Sequence, residues 1–312
     1  DFSADYFYNR RSDILLQRET VSNVSGLRVK PYQNFGIVRN QGVDANLILK
    51  QKVGNVDLSA RGNLTYAKNK ILERDEIPQK YGYQTYTGNS IDKPLLYIAE
   101  GLYTPDDFNI TTNEYGGQTY KLKDGLPTPA ANVAPGDIKY KDIPNADGVC
   151  DGVIDANDRV YTGHPTVPEI VYGFGPSFQY KKWDFSFFFQ GVARTSIVVG
   201  DIHPFGTDGL RNVQKFIAND YWSESNQNIY AGYPRLSKQY NQNNTVASTY
   251  WLRNGAFLKL KDVEVGFSHK LFRVYLRGSN LLTFSPFDLW DPEQGNGNGM
   301  FYPTQKSFNV GI

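Results

Sequence analysis

The sequence is short of sulfur and of histidine. Its 312 residues include one Cys, one Met and three His. A single Cys excludes an internal disulfide, so cysteine usage gives no redox compartment. His164, His203 and His269 lie far apart and have no metal-ligand spacing. There is no nucleophile elbow, no phosphate-binding glycine loop and no carboxylate pair set apart from loop chemistry, so no enzymatic activity is expected. The net charge of +1 offers no bulk attraction for nucleic acid. No apolar run approaches the roughly 18 residues of a membrane helix. Strands remain as a way across a bilayer, because each needs only about ten residues with alternate ones apolar.

What the sequence does hold is aromatic: 22 Tyr, 19 Phe and 4 Trp. These side chains suit a pleated surface. In 2–8, Phe2, Ala4, Tyr6 and Tyr8 share one face. In 43–53, Val43, Ala45, Leu47, Leu49 and Val53 oppose Asp44, Asn46, Lys50 and Lys52. The pattern continues through 56–66, 170–180, 183–190, 272–279 and 308–312. Each segment has one apolar and one polar face at period two. Short turns at Gly54-Asn55, Lys181-Lys182 and His269-Lys270 would keep the apolar faces in phase. Pro176 removes a ladder donor and predicts a bulge or gap. A phase shift between Leu260 and Val263 predicts a second bulge.

The connections alternate between short and long, the long ones covering 18–33, 68–167, 196–250 and 283–302. About eight strands with tight turns on one side and long loops on the other read as an all-β, antiparallel transmembrane β-barrel with long extracellular loops. A soluble β-sandwich also alternates. The barrel is favoured by Arg, Asp and Lys in mid-strand on the polar faces and by Tyr and Trp near strand ends. Arg61, Arg273 and Arg277 then face the lumen, where they line or brace the interior.

Two sets of residues are candidates for binding. The loop from Asp147 to Asp158 has carboxylates at positions 1, 5, 9 and 12, with Gly152 at 6 and the Val153 carbonyl at 7. That spacing approaches a calcium loop, so Ca2+ is an expected ligand of Asp147, Asp151, Val153, Asp155 and Asp158. Val149 stands where position 3 needs an oxygen, and the rival reading is an unliganded turn rich in Asx hydrogen bonds. Tyr81, Tyr83, Tyr86, Trp222, Tyr230 and Tyr233 lie in the long connections. They could meet substrate or a protein partner, or pack the loops on themselves. Cys150 reads as incidental.

The segments PGDIKYKD (135–142), DGVIDANDR (151–159), YGFGPSF (172–178), DFSFFFQG (184–191), WLRNGAFLKLKDVEVGF (251–267), RVYLRGSNLLTFS (273–285), DPE (291–293) and YPTQKSFNVGI (302–312) resemble SusC/RagA-like TonB-dependent transporters of Bacteroidetes. SDILL (12–16) and NLTYAKNKI (63–71) fit as well. The resemblance implies a barrel of 22 strands around a plug, of which residues 1–312 would be the C-terminal portion of about eight strands. Signal, TonB box, plug and earlier strands would lie outside this chain. It further implies TonB-dependent import of oligosaccharides or peptides across a Gram-negative outer membrane. A SusD-like surface lipoprotein would act as lid, and lipid and lipopolysaccharide would lie outside the wall. The family's acidic loop reads DxNGDGxID, whereas here Val149-Cys150 intervene before Asp151-Gly152. A SusC-like barrel serving as a non-transporting scaffold, and a soluble calcium-dependent adhesin, are the alternatives.

Overall fold

Period-two alternation becomes one antiparallel sheet of eight strands in sequential order. The computed structural model describes residues 1–205 and 210–312; residues 206–209, inside the connection expected at 196–250, lie outside the described part. The sheet strands are β1 (Phe2–Gln17), β2 (Tyr32–Val53), β3 (Val56–Glu73), β4 (Ile170–Tyr180), β5 (Trp183–Ala193), β6 (Phe257–Ser268), β7 (Arg273–Phe284) and β8 (Ser307–Gly311). Strands β4 and β5 have 11 residues each, about the length that crosses a bilayer when tilted. Strands β2 and β3, at 22 and 18 residues, are longer than that.

Two of the three expected turns form as read. Val53 pairs with Val56 around Gly54-Asn55, and Tyr180 pairs with Trp183 around Lys181-Lys182. Gly54 and Lys181 both take positive φ, at 60° and 56°, the left-handed first position that a tight hairpin of this hand requires. The third turn is corrected. Ser268 pairs with Arg273, so residues 269–272 form a four-residue connection, and the partner of Phe267 is Val274 rather than Phe272. Val274 and Phe272 are two residues apart, so the apolar face survives the shift.

The expected flaws in the sheet are present in altered form. Pro176 sits opposite Ala60 in unbroken register with β3, while the ladder to β5 is interrupted between Phe174 and Ser177. The missing amide produces a gap and not a bulge. At Lys261 the register shifts against both β5 and β7, and Asn280 opposite takes φ 55°. The change of phase between Leu260 and Val263 is therefore a bulge.

The main hydrophobic cluster is not on the sheet. Leu47, Phe174, Trp183, Leu276 and Val310 on the apolar face are 40–75% exposed, and no described residue covers them. The core lies instead in the connections. Leu102, Ile138, Tyr140, Ile197, Ile217, Trp222, Tyr233, Trp251 and Phe287 form one buried cluster. All of them fall between β3 and β4, between β5 and β6, or after β7. In an antiparallel sheet of sequential order these connections leave from the same end. Small two-stranded pairings brace them: Leu95–Tyr97 with Arg159–Tyr161, Ala99–Leu102 with Ile138–Tyr140, and Ser196–Val198 with Leu252–Asn254. The long loops thus fold into one unit with its own core, as loops do when they pack on themselves.

Candidate functional site

Alternation places Ser59 and Arg61 of β3, Ser177 of β4, Asp184, Ser186 and Phe188 of β5, Asp262 and Glu264 of β6, and Arg273 and Arg277 of β7 on one face of the sheet. All three expected arginines are on this polar face. Two are bound across strands. Arg273 reaches Asp184 and Glu264, both at 2.6 Å, and Arg277 reaches Asp262 at 2.8 Å. The Ser279 hydroxyl also donates to Asp262, at 2.9 Å. Arg61 instead lies over the Phe188 ring, 4.7 Å from its centroid. Phe188 is laid across Gly173 and Gly175, where added Cβ atoms would come within 2.9 Å and 3.0 Å of its ring. Alternation in the run Phe187-Phe188-Phe189 already turned the middle ring to this side.

The end of the face nearest the loops is locked by a second ionic group. Lys259 is 1% exposed and contacts Asp291 and Glu293, each at 2.6 Å, while Lys261 reaches Glu293 at 2.6 Å. Asp291 accepts the Glu293 amide at the start of the short 3-10 turn Pro292–Gln294. Burial pushes both carboxyls up, but the Lys259 ammonium outweighs it and holds them below their ordinary values. The connection after β7 is thereby fastened onto β6.

At the centre of the loop unit is Asp137, fully buried. Its carboxylate lies 2.7 Å from Arg235 Nε and accepts from Arg235 Nη2 at 3.1 Å, from the Ala134 amide and from the Asn241 and Asn244 side chains. Asn244 in turn accepts the Ile138 amide, and Asn243 donates to the Ile138 carbonyl. Every lone pair of a buried carboxylate thus finds a donor, which is the condition for burying it. The preceding Gly136 has φ 85°, and a Cβ there would sit 2.2 Å from the Trp222 ring. Sequence reasoning missed this node. PGD marks its local half, but Arg235, Asn241 and Asn244 lie in a connection without periodic signal.

The acidic loop is organised by its own backbone. Asn145 accepts the amides of Asp147 and Val149, Asp142 that of Gly152, Asp151 that of Val153 and Asp155 that of Asn157. Asp158 is 3% exposed and accepts the amides of Ile143 and Asp155. Burial pushes its carboxyl up. Among the described residues, no three His, Cys, Asp or Glu side chains converge as metal ligands. Asp147, Asp151, Asp155 and Asp158 thus form no such group, and Val153 between them is exposed. Asx geometry accounts for most of these bonds.

The six loop aromatics separate into two sets. Trp222 and Tyr233 are 5% and 4% exposed and belong to the core cluster. For these two, burial favours the reading in which the loops pack on themselves: the loops needed a core of their own, and large rings filled it. Tyr230 is 79% exposed. Tyr81 and Tyr83 stack at 5.3 Å, with the Tyr83 hydroxyl donating to the Asn157 carbonyl. Tyr86 is held between Arg74 and Tyr161. Tyr81, Tyr83 and Tyr86 remain half-buried.

No family model matches the sequence. Two curated relatives from Formosa agariphila do. TonB-dependent receptor P3 is 24% identical over all of this chain and 32% of its own length. TonB-dependent receptor P26 is 26% identical over 99% of this chain and 32% of its own length. The chain therefore spans about a third of the length of the curated relatives it matches. Among solved structures, the RagAB peptide importer in its open-open state superposes with a TM-score of 0.70 at 19% identity, over 99% of this chain and 32% of that one. The RagAB peptide transporter gives 0.67 at 23% identity, over 99% and 32%. Fold and sequence agree, and along its whole length this chain resembles the barrel of SusC/RagA-like TonB-dependent transporters.

Proposed function

We propose that this chain supplies C-terminal wall strands and extracellular loops to a TonB-dependent importer in the outer membrane of a Gram-negative bacterium. The observation that carries this reading is the inverted distribution of apolar surface. The sheet leaves its apolar face bare and its charges on the other side, while the loops at one end keep a protein-like core. A bare apolar face of this extent suits lipid, and a charged opposite face suits a watery lumen. The cargo would be oligosaccharides or peptides, and the solved neighbours carry the name of peptide importers. A SusD-like lipoprotein would close the mouth over the loop unit, and TonB would act through parts of the protein outside this chain. The role is transport, with no covalent chemistry.

Uptake by cells expressing the full-length protein tests this. Labelled peptides and labelled oligosaccharides are offered with and without a protonophore. Uptake of one class that collapses with the protonophore is expected. If neither class enters in an energy-dependent way, transport is excluded and the scaffold reading replaces it.

A further inference from the structure

The dipeptide Asn-Gly occurs three times, at 254–255, 296–297 and 298–299. In it the side-chain amide is open to attack by the backbone nitrogen of the next residue, because glycine has no Cβ to shield that nitrogen. The attack needs a nitrogen free to shed its proton and a side-chain carbon held within its reach. The fold treats the three copies differently.

Two of the three nitrogens are engaged. The Gly255 amide donates to the Thr195 carbonyl at 3.0 Å, and the Gly297 amide to the Val198 carbonyl at 3.1 Å. Either would have to give up that bond before attacking. The Gly299 amide has no hydrogen bond among the described residues. The Asn298 side chain is also placed for the reaction. Its Oδ1 accepts the Met300 amide at 3.1 Å, an Asx turn that folds the side chain back over the Gly299 peptide. The same Met300 N–H would face the negative charge that builds on Oδ1 during attack. Asn254 makes the same turn, with the Ala256 amide at 3.0 Å, so the glycine amide is what separates the two sites. Asn298 Nδ2 donates to Asp201 at 3.3 Å, which joins the loop after β7 to the connection after β5. Both Asn298 and Gly299 are partly exposed.

We propose that Asn298 is a site of spontaneous deamidation, a one-way modification that replaces its contact with Asp201 by like-charge repulsion and loosens the loop after β7. The Gly299 nitrogen loses its proton and bonds to Asn298 Cγ. The Cγ–Nδ2 bond breaks, the nitrogen takes up protons from water and leaves as ammonia, and a five-membered succinimide remains. Water then opens the ring at either carbonyl, giving aspartate or isoaspartate. The new carboxylate stands where an N–H met Asp201, so an attraction becomes a repulsion. The only co-reactant is water, so the modification is independent of cargo and of the transport reading.

The test incubates the purified full-length protein in water enriched in heavy oxygen and maps its peptides by mass spectrometry. Heavy oxygen marks conversion during the incubation and excludes conversion during digestion. Asn298 is expected to convert up to about tenfold faster than Asn254 and Asn296, the rate equivalent of the hydrogen bond that their glycine amides must give up. Alkaline buffer should speed it, and both aspartate and isoaspartate should appear. In concentrated urea the three sites should converge. An unconverted Asn298, conversion no faster than at Asn254, or a preference for Asn298 that survives urea overturns the site. A neutral protease that spares the native loop reads the consequence. Aged native protein and Asn298→Asp should both be cut near Gly295–Gly299, and Asn298→Ser, which loses the contact without adding charge, should be cut less. Asn298→Asp cut no faster than the native protein overturns the loosening.

Discussion

Asp137, buried at the centre of the loop unit, lies 2.7 Å from Arg235, and the two residues come from different connections of the sheet. This contact ties the excursion after β3 to the excursion after β5. Around it, the Gly136 carbonyl accepts the Arg235 amide, and the Trp251 indole donates to the Asn244 carbonyl. The two excursions are therefore one folded body.

Removing the cation should loosen that body. Arg235→Ala leaves a buried carboxylate without its charge partner. Such losses start at about 3 kcal/mol, and the partial exposure of Arg235, 31% for its side chain, places this one at the low end. Hydrogen exchange in residues 134–140 and 241–251 should speed up, while the strands at the turn end keep their protection.

A charge placed on the bare face should act elsewhere. Phe174 is 43% exposed and stacks on Phe189 at 5.1 Å. Phe174→Arg should cost about 2–4 kcal/mol if that position lies near mid-membrane. The measurement is the fraction of full-length protein recovered folded in outer membranes. Unchanged recovery would mean that this face does not meet lipid.

Acid should release the loop after β7. The Asp291 and Glu293 carboxyls are held below their ordinary values of 3.8 and 4.5. A depressed folded pKa means that the stabilisation is complete above the unfolded value. It is lost as pH falls through the folded one. The lock to Lys259 should thus persist at neutral pH and weaken only below about pH 4. Limited proteolysis near Gly295–Gly299 should show cleavage by an acid-active protease rising over that window, and at pH 7 a neutral protease that spares the native loop should cut Lys259→Met there.

Calcium should leave the acidic loop as it is. The carboxylates of Asp151, Asp155 and Asp158 each accept a backbone amide, and among the described residues no three acidic side chains converge on one point. Millimolar calcium is expected to leave the melting temperature of the full-length protein unchanged. A rise that EDTA reverses would establish the calcium reading of Asp147, Asp151, Val153, Asp155 and Asp158.

The wall was legible residue by residue. Alternation is a local property, so eight strands, their two faces, the side taken by Arg61, Arg273 and Arg277, and the bulge between Leu260 and Val263 could all be read from neighbours in the chain. It missed the register of the last turn, because Phe272 and Val274 lie on the same face and parity cannot separate them. The loop unit was settled by contacts in three dimensions. Trp222 and Tyr233 became core, and Asp137 found Arg235, through contacts between segments of no fixed period that are distant along the chain. Such contacts leave no local pattern, since burial there depends on which surfaces meet and not on which residues are adjacent.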